Sequence, residues 1–194
     1  MGTLTVIEFV TLDGVMQGFG SPDEDRRGGF DLGGWGAPYL DHAQADAANE
    51  GVRSTDAYLF GRWTYEKMAE FWPHQPDDNA LAAHLNTTPK HVVTRTLTDL
   101  SWSGARVLAG ELGPAVQRLK DDVGGTVAVL GSGDLVQQLM AMDLVDGYRL
   151  FLHPLVLGRG TRLFRSPAQT QRLRLVDATP TSTGVLMLSY ERAQ

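Results

Sequence analysis

The chain has 194 residues, which suits a single domain, and 42% of them are hydrophobic, enough for a substantial core. Its 17 basic and 23 acidic residues give a formal net charge of −6, which disfavours nucleic acids and anionic membranes as partners. The absence of cysteine excludes disulfides, thiolate catalysis and thiolate-ligated metal sites. The amino terminus has no basic signal region, and no apolar run reaches the ~18 residues of a membrane span, so we expect a soluble cytoplasmic protein.

The first 52 residues predict a strand, a long loop and a helix. Residues 4–12 are apolar on both alternating faces apart from Glu8 and two threonines, which is typical of a strand covered on both sides. Residues 13–36 hold many glycines and acidic residues and predict a long loop, a feature that is usually functional or mobile. Residues 37–52 are rich in alanine, with apolar residues at helical spacing, and predict a helix.

The middle of the chain alternates between predicted strands and helices. The strands are expected at 56–61, 90–95, 105–108 and 126–130, and the helices at 62–72, 79–87, 112–122 and 134–142. The alternation then stops, and three further strands are expected at 147–158, 171–180 and 184–192. This order predicts one α/β domain over residues 1–194, with a mixed sheet and helices on both faces.

One strand–helix turn, Gly131-Ser132-Gly133, is suited to hold a phosphate. A helix that begins directly after a glycine-rich turn exposes unpaired N–H groups and the positive end of its dipole. The structural alternative is a tight corner in which Ser132 or Asp134 caps the helix. Val136 replaces the third glycine of the G-x-G-x-x-G pattern, and the G-K-[ST] ending of a P-loop is absent, so this turn alone favours the corner.

Two other predicted strand ends resemble this turn in chemistry. Residues 59–66 repeat the order of strand, glycine and helix, with Thr64 in a capping position, and residues 92–95 end a strand with a hydroxyl and a guanidinium group. Taken singly, these are explained by an ordinary capped helix and a solvated arginine. Because ligands bind at the carboxyl ends of strands in open α/β sheets, the three together match the phosphates of a phosphorylated dinucleotide.

The sequence resembles the dihydrofolate reductase superfamily over nearly its whole length. The motifs that carry the resemblance are, in chain order, EFVTLDGVMQ (8–17), LFGRWTYE (59–66), VVTR (92–95), VLGSGDLVQQL (129–139), HPLVLGRGTRLF (153–164) and TGVLMLSY (183–190). The closer similarity is to the branch related to the reductase domain of the bacterial riboflavin-pathway deaminase–reductase. It implies a dihydrofolate-reductase-like three-layer α/β fold, with a central mixed sheet of about eight strands flanked by helices. Because these 194 residues include no cysteine, they cannot form the zinc site of the deaminase half, and we expect a stand-alone reductase domain.

The resemblance also implies NADPH as the cofactor. By position, the residues expected to hold it are Gly61, Arg62 and Thr64 at its phosphates, Thr94 and Arg95 at the 2′-phosphate, Gly131, Ser132, Gly133, Asp134 and Leu135 at the pyrophosphate, and Val136 nearer the nicotinamide. The histidines are scattered without metal-ligand spacing, so no metal site is predicted.

The substrate end offers two candidate acids and four candidate contacts. The acids are Asp13 and His153, and the contacts are Met16, Trp35, Arg159 and Arg162. Each has a structural alternative: a turn carboxylate for Asp13, a satisfied core histidine for His153, and core filler for Met16. Trp35 is either a loop anchor or a movable lid, and the two arginines either bind an anionic substrate tail or are solvated.

Two departures argue against dihydrofolate as the main substrate. The resemblance implies a carboxylate on the first helix that grips the pterin, but Asp41 and Asp46 do not match its position. It also implies an arginine for the folate tail, and none occurs between Arg62 and Arg95.

We therefore expect NADPH-dependent hydride transfer to a small heterocyclic or carbonyl substrate, resembling 5-amino-6-(5-phosphoribosylamino)uracil reductase. The alternatives are an NADPH-binding or sensing protein without turnover, and a dihydrofolate reductase. The closing strands carry more apolar surface than one sheet face needs, and related reductase domains pair, so we also expect a homodimer.

Overall fold

The computed structural model describes residues 2–76, 78–165 and 170–193. Within them the strands and helices follow one another as β1 (Thr3–Thr11), α1 (His42–Arg53), β2 (Ala57–Gly61), α2 (Arg62–Phe71), α3 (Ala80–Thr87), β3 (Lys90–Val93), β4 (Ala105–Val107), α4 (Leu112–Val123), β5 (Thr126–Leu130), α5 (Gly133–Ala141), β6 (Gly147–His153), β7 (Leu173–Pro180) and β8 (Leu186–Arg192).

The strands form one mixed sheet of eight strands, in the order β4-β3-β2-β5-β1-β6-β8-β7. The six strands from β4 to β6 in this order run parallel, while β8 is antiparallel to both β6 and β7. Parallel neighbours need long crossovers, which explains why helices connect most of the strands up to β6, although residues 94–104 join β3 to β4 without an α-helix. After β6, the strands β7 and β8 pair as an antiparallel hairpin. The predicted α/β class and mixed sheet are confirmed.

Helices cover both faces of the sheet. On one face α4 and α5 pack through buried residues such as Val116 and Leu139. On the other face α1, α2 and α3 pack through Val52, Tyr65 and Leu85. Burying one side chain of this size contributes about 1.5–3 kcal/mol, so these two apolar layers hold the three-layer arrangement together.

The first helix begins later than the sequence predicted. The prediction placed it at residues 37–52, but α1 starts at His42, and Ala37–Tyr39 form a separate 3-10 turn. The Asp41 carboxylate accepts hydrogen bonds from the N–H (3.0 Å) and the hydroxyl (2.8 Å) of Ser182. This tertiary contact ties the segment to the turn between β7 and β8, and alanine content alone did not reveal it.

Two strands end earlier than predicted. The strand expected at 147–158 ends at His153, because Pro154 has no N–H to continue the ladder. The strand expected to reach residue 95 ends at Val93. The hydroxyl of the next residue, Thr94, accepts N–H groups of the following turn at 3.2 and 3.0 Å, so the backbone leaves the sheet there.

The two central strands, β1 and β5, part at their carboxyl ends, and the region between these ends is called the β1–β5 crevice. β1 and β5 pair only as far as Ile7 and Leu130, whereas β1 stays paired with β6 up to Thr11 and His153. The helices after β1 and β5 lie on opposite faces and lead toward opposite edges of the sheet. This is the switch point at which open α/β sheets bind their ligands.

Candidate active site

The glycine turn after β5 leaves the start of α5 open. Gly131 and Ser132 both adopt left-handed conformations, with φ of 61° and 65°. Among the residues that the structure describes, the N–H groups of Gly133, Asp134 and Leu135 have no hydrogen-bond partner. Such N–H groups, together with the helix dipole, favour an anion at this point.

The Ser132 side chain does not cap this helix, although its position suggested that it would. Its hydroxyl instead accepts the N–H of Gly61, at 2.8 Å. This hydrogen bond joins the turn after β5 to the turn after β2. The carboxylate of Asp134 pairs with Arg165 at 2.7 Å. Neither predicted cap is therefore used, which favours the phosphate-binding interpretation of the turn over the tight corner.

The turns after β2 and β5 are in direct contact. A Cβ atom added to Gly61 would lie 3.1 Å from the Ser132 hydroxyl, and one added to Gly131 would lie 3.2 Å from a Thr64 methyl group. Gly61 precedes α2, which also begins without a side-chain cap. The structure thus brings together four of the predicted cofactor residues at the start of two helices.

The end of β3 lies beside this pair of turns. β2 and β3 pair through Gly61 and Val93, so Arg62 and Thr94 directly follow the ends of these adjacent strands. The Thr94 hydroxyl is occupied by its own turn, and Arg62 pairs with Glu66 at 3.4 Å.

Arg95, one of the two residues predicted at the 2′-phosphate, has a guanidinium group that is not paired with a carboxylate among the described residues. It is exposed and makes no hydrogen bond or ion pair with any residue in the described part of the chain. A guanidinium group free at a strand end is available to a phosphate.

Leu135 and Val136 do not present their side chains to the crevice. They are 4% and 0% exposed and belong to the core under α5. The Val136 N–H also donates to the Ser132 carbonyl at 3.0 Å, so neither its side chain nor its N–H is free for a ligand. Met16 does lie at the turn, because a Cβ atom on Gly133 would approach its sulfur to 2.9 Å.

Asp13 anchors a neighbouring loop. Its carboxylate accepts N–H groups of Leu157 (3.2 Å) and Gly158 (2.9 Å) and the Thr11 hydroxyl (2.6 Å), and it pairs with Arg162 at 3.3 Å. Burial acts to raise the pKa of Asp13, but these hydrogen bonds outweigh it and hold that pKa at about 2. An ionised carboxylate with this many partners is suited to fixing the loop, not to donating a proton.

The two predicted anion-binding arginines are both paired with carboxylates. Arg162 donates to the main-chain carbonyl of Asp13 at 2.8 Å as well as to its side chain. Arg159 forms an ion pair with Asp31 on the long loop. Both arginines are about half exposed, so a substrate phosphate would have to compete with these contacts.

His153 lies inside an aromatic cluster on the face covered by α1–α3. Its ring is surrounded by those of Phe9, Phe19, Trp35 and Tyr39, with centroid distances of 6.2, 5.4, 5.1 and 5.6 Å. Burial is the main cause that lowers the pKa of His153, so the ring is neutral near pH 7. This is the environment of a core histidine.

Trp35 is an anchor of the long loop. It is 7% exposed, and its ring N–H donates to the carbonyl of Gln17 at 2.7 Å. The Gln17 side chain accepts the Thr161 N–H at 2.9 Å and donates to the carbonyl of Arg27 at 3.0 Å. The loop is therefore packed into the molecule, which favours the anchor over the movable lid.

Comparison with known proteins decides the family to which this arrangement belongs. The RibD C-terminal domain family matches residues 3–187, which include every strand end that lines the crevice. The chain belongs to this family.

Relatives and solved structures agree with this assignment. YyaP, an uncharacterized protein of Bacillus subtilis (strain 168), is 27% identical over 184 residues, covering 93% of this chain and 90% of YyaP. A protein of Shewanella sp. PV-4 that is provisionally assigned to riboflavin biosynthesis has a TM-score of 0.71 at 17% identity, with 99% of each chain covered. Dihydrofolate reductase from Enterococcus faecalis, solved with NADP(H) and RAB-propyl, has a TM-score of 0.59 at 16% identity, with 100% of this chain and 98% of the reductase covered. The chain therefore has a dihydrofolate-reductase-like fold.

Glu8, the first residue of the EFVTLDGVMQ motif (8–17), stands out although no role was predicted for it. Glu8 is 6% exposed, within a strand that is otherwise apolar and hydroxylated. Burial is the main cause that raises the pKa of Glu8 to about 8, and the charge of Glu24 raises it further. The N–H groups of Phe9 and Gly131 act in the opposite direction, but of these two only the Phe9 N–H is in hydrogen-bonding geometry with the carboxyl group, at 3.2 Å. The only sequence signal was a lone acid in a strand predicted to be covered on both faces.

Within the described ranges, no three His, Asp or Glu side chains cluster closely enough to hold a metal ion. The described helices include none that is both long and apolar enough to cross a membrane.

Proposed function

We propose that this chain is an NADPH-dependent reductase that transfers a hydride to a small, flat heterocyclic or carbonyl substrate. The observation that carries the proposal is the open first turn of α5 at the β1–β5 crevice. The Ser132 hydroxyl, which could have capped this helix, accepts a hydrogen bond from the Gly61 N–H instead. A helix start with free N–H groups at a switch point is suited to a pyrophosphate.

The residues present fit this cofactor. The free N–H groups of Gly133, Asp134 and Leu135 would hold the pyrophosphate, and Arg95 would hold the 2′-phosphate. When bound, the reduced nicotinamide supplies the hydride, and the protein contributes orientation and electrostatics. The Enterococcus dihydrofolate reductase with the same fold was solved with NADP(H), which supports the choice of cofactor.

The aromatic cluster supports a flat substrate. Phe9 stacks on Phe19 with ring centroids 4.0 Å apart, and both side chains remain partly exposed beside Tyr39. Stacked rings with a neutral histidine behind them favour an uncharged planar group. A pyrimidine-like substrate is consistent with the family and with the Shewanella protein assigned to riboflavin biosynthesis.

Dihydrofolate fits this site poorly. Asp41 is bonded to Ser182, and Asp46 is exposed on α1, so neither is placed to grip a buried pterin. A site that lacks a required polar partner loses orders of magnitude in selectivity. We expect dihydrofolate to be reduced slowly or not at all.

Steady-state oxidation of NADPH by purified protein tests the proposal. We expect turnover with a phosphoribosylamino-pyrimidine and little with dihydrofolate, each measured against a protein-free blank. Efficient turnover of dihydrofolate would contradict the substrate assignment, and no turnover with either substrate or with simple carbonyl compounds would contradict the reductase.

A binding or sensing protein without turnover is the second candidate. The observation that favours it is the state of the two predicted acids, because Asp13 is held ionised and His153 is neutral and buried. If neither Asp13 nor His153 donates a proton, a reductase with this site would have to take the proton from a bound water molecule. NADPH binding together with no turnover on any substrate tested would favour this second function.

A further inference from the structure

The Glu8 carboxyl group has an unexplained free atom. Its Oε1 accepts the N–H of Phe9 at 3.2 Å, while its Oε2 is buried and has no hydrogen-bond partner among the described residues. Leaving a buried polar atom unpaired costs about 1–3 kcal/mol, and such atoms in folded proteins usually meet a water or a ligand. The free Oε2 therefore points to a missing partner.

The position of Glu8 indicates which partner this is. The pairing of β1 with β5 ends at Ile7 and Leu130. Glu8 and Gly131 are therefore the first residues beyond the point where these two strands part. Glu8 lies between Val6 and Val10, which belong to the apolar layer under α4 and α5, whereas Phe9 belongs to the opposite layer. The carboxyl group is thus on the side of the α5 turn, away from the aromatic cluster.

The protonation state of Glu8 defines its hydrogen-bonding pattern. Burial, with a smaller contribution from Glu24, raises its pKa to about 8, so the group is an acid at neutral pH. A protonated carboxyl group presents one O–H donor and one carbonyl acceptor. A primary carboxamide presents the complementary pair, an acceptor oxygen and an N–H donor.

We propose that the Glu8 carboxyl group hydrogen-bonds the carboxamide of a nicotinamide ring bound in the β1–β5 crevice and so sets the orientation of that ring. The proposal rests on the proposed function, because it needs a dinucleotide in the crevice. It makes Glu8 a cofactor-positioning residue and leaves the proton source of the reaction elsewhere.

Calorimetric titration of two variants with two ligands tests this assignment. The ligands are NADPH and 2′-phospho-ADP-ribose, which has the same phosphates but no nicotinamide. We expect Glu8→Leu to weaken NADPH binding about five- to tenfold, the loss of one or two neutral hydrogen bonds, and to leave 2′-phospho-ADP-ribose unchanged. Glu8→Gln is the matched control, because an amide keeps a donor and an acceptor, and it should bind both ligands as the wild type does.

A third ligand keeps the test independent of how well a variant folds. The reduced 3-acetylpyridine analogue of NADPH carries an acetyl group, which accepts but cannot donate a hydrogen bond. Wild-type protein should bind it several-fold more weakly than NADPH, and Glu8→Leu should not distinguish the two.

The outcomes separate this proposal from the proposed function. If wild-type protein binds neither NADPH nor 2′-phospho-ADP-ribose, the dinucleotide site itself is contradicted. If it binds both, but binds NADPH and the acetylpyridine analogue equally, or if Glu8→Leu loses affinity equally for NADPH and 2′-phospho-ADP-ribose, the role of Glu8 is overturned while the site stands.

Discussion

Glu8 and Asp13 are two carboxyl groups at the same end of β1 with opposite electrostatics. Burial raises the pKa of Glu8 to about 8, whereas hydrogen bonds hold the pKa of Asp13 at about 2 in spite of its burial. Environments that push two carboxyl pKa values this far apart are typical of functional sites. Here the ionised group fixes a loop, and the neutral one is left for the crevice.

The raised pKa of Glu8 predicts a pH-dependent cost in stability. The unfolded chain releases this proton near the usual pKa of 4.5, but the folded chain keeps it up to about pH 8. Folding therefore takes up a proton between these values, and stability falls as the pH rises, by at most about 1.4 kcal/mol per pH unit. The stability that Asp13 contributes is lost only below its usual pKa of 3.8, outside this window.

Glu8→Gln should remove that slope. Urea denaturation at pH 5 and pH 8 should show the variant gaining free energy of unfolding relative to wild type as the pH rises, by an amount on the order of a few kcal/mol. Parallel pH dependence in the two proteins would show that Glu8 has an ordinary pKa.

Arg95 should decide the preference for NADPH over NADH. A charge-assisted contact to the 2′-phosphate contributes roughly 1.5–3 kcal/mol, so Arg95→Ala should weaken NADPH about tenfold or more and leave NADH nearly unchanged. Arg53→Ala, an exposed arginine at the end of α1, is the matched control for loss of one positive charge. Equal losses for both cofactors in a calorimetric titration would rule out the 2′-phosphate role.

At the scale of the element, the β5–α5 turn depends on a glycine in a left-handed conformation. Gly131→Ala should cost about 1–2 kcal/mol of stability, because its φ of 61° is unfavourable for alanine. The new methyl group would also press on Thr64 at 3.2 Å and disturb the two joined turns. We expect NADPH affinity to fall by about tenfold or more as the N–H groups lose their alignment.

Gly124→Ala separates strain from function. Gly124 ends α4 with a φ of 67° and has no heavy atom within 4 Å of the position of an added Cβ. The same backbone cost is therefore expected without any change in NADPH affinity. If thermal unfolding shows similar losses for both variants and both bind NADPH like the wild type, the turn is only a corner.

Element positions were largely predictable from the sequence, and their ends were less so. Apolar periodicity and glycine placement located the eight strands and five helices. The late start of α1 was missed because it depends on Asp41 meeting Ser182, 141 residues along the chain. Pro154, by contrast, was a local signal for the end of β6 that the apolar run obscured.

The site was predictable where it consists of backbone and less so where it depends on side-chain partners. Glycines at strand ends marked the turns correctly, because their conformational role is local. The pairing of Asp13 with Arg162 and the burial of Glu8 are consequences of packing between distant segments. Sequence spacing therefore could not assign charge states to these groups.

At the scale of the whole molecule, β7 forms an open edge of the sheet and exposes apolar side chains. Leu175 and Val176 are each 51% exposed, and Leu186, which is 39% exposed, lies on β8 opposite Pro180 at the other end of β7. An open apolar edge strand is a site for pairing with another chain. This surface supports the expectation of a homodimer.

Light scattering should report about twice the chain mass of 21.1 kDa at micromolar concentration. Val176→Lys should shift the protein to the monomer, since a charge on this edge opposes strand pairing. A wild-type monomer, or a Val176→Lys variant that stays dimeric, would contradict pairing through this edge.

The most direct test of the account is a calorimetric titration of wild-type protein with NADPH. The open start of α5 and the free charge of Arg95 predict saturable binding of one NADPH per chain, with NADH bound about tenfold or more weakly. No saturable binding of NADPH would contradict the dinucleotide crevice on which the proposed function stands.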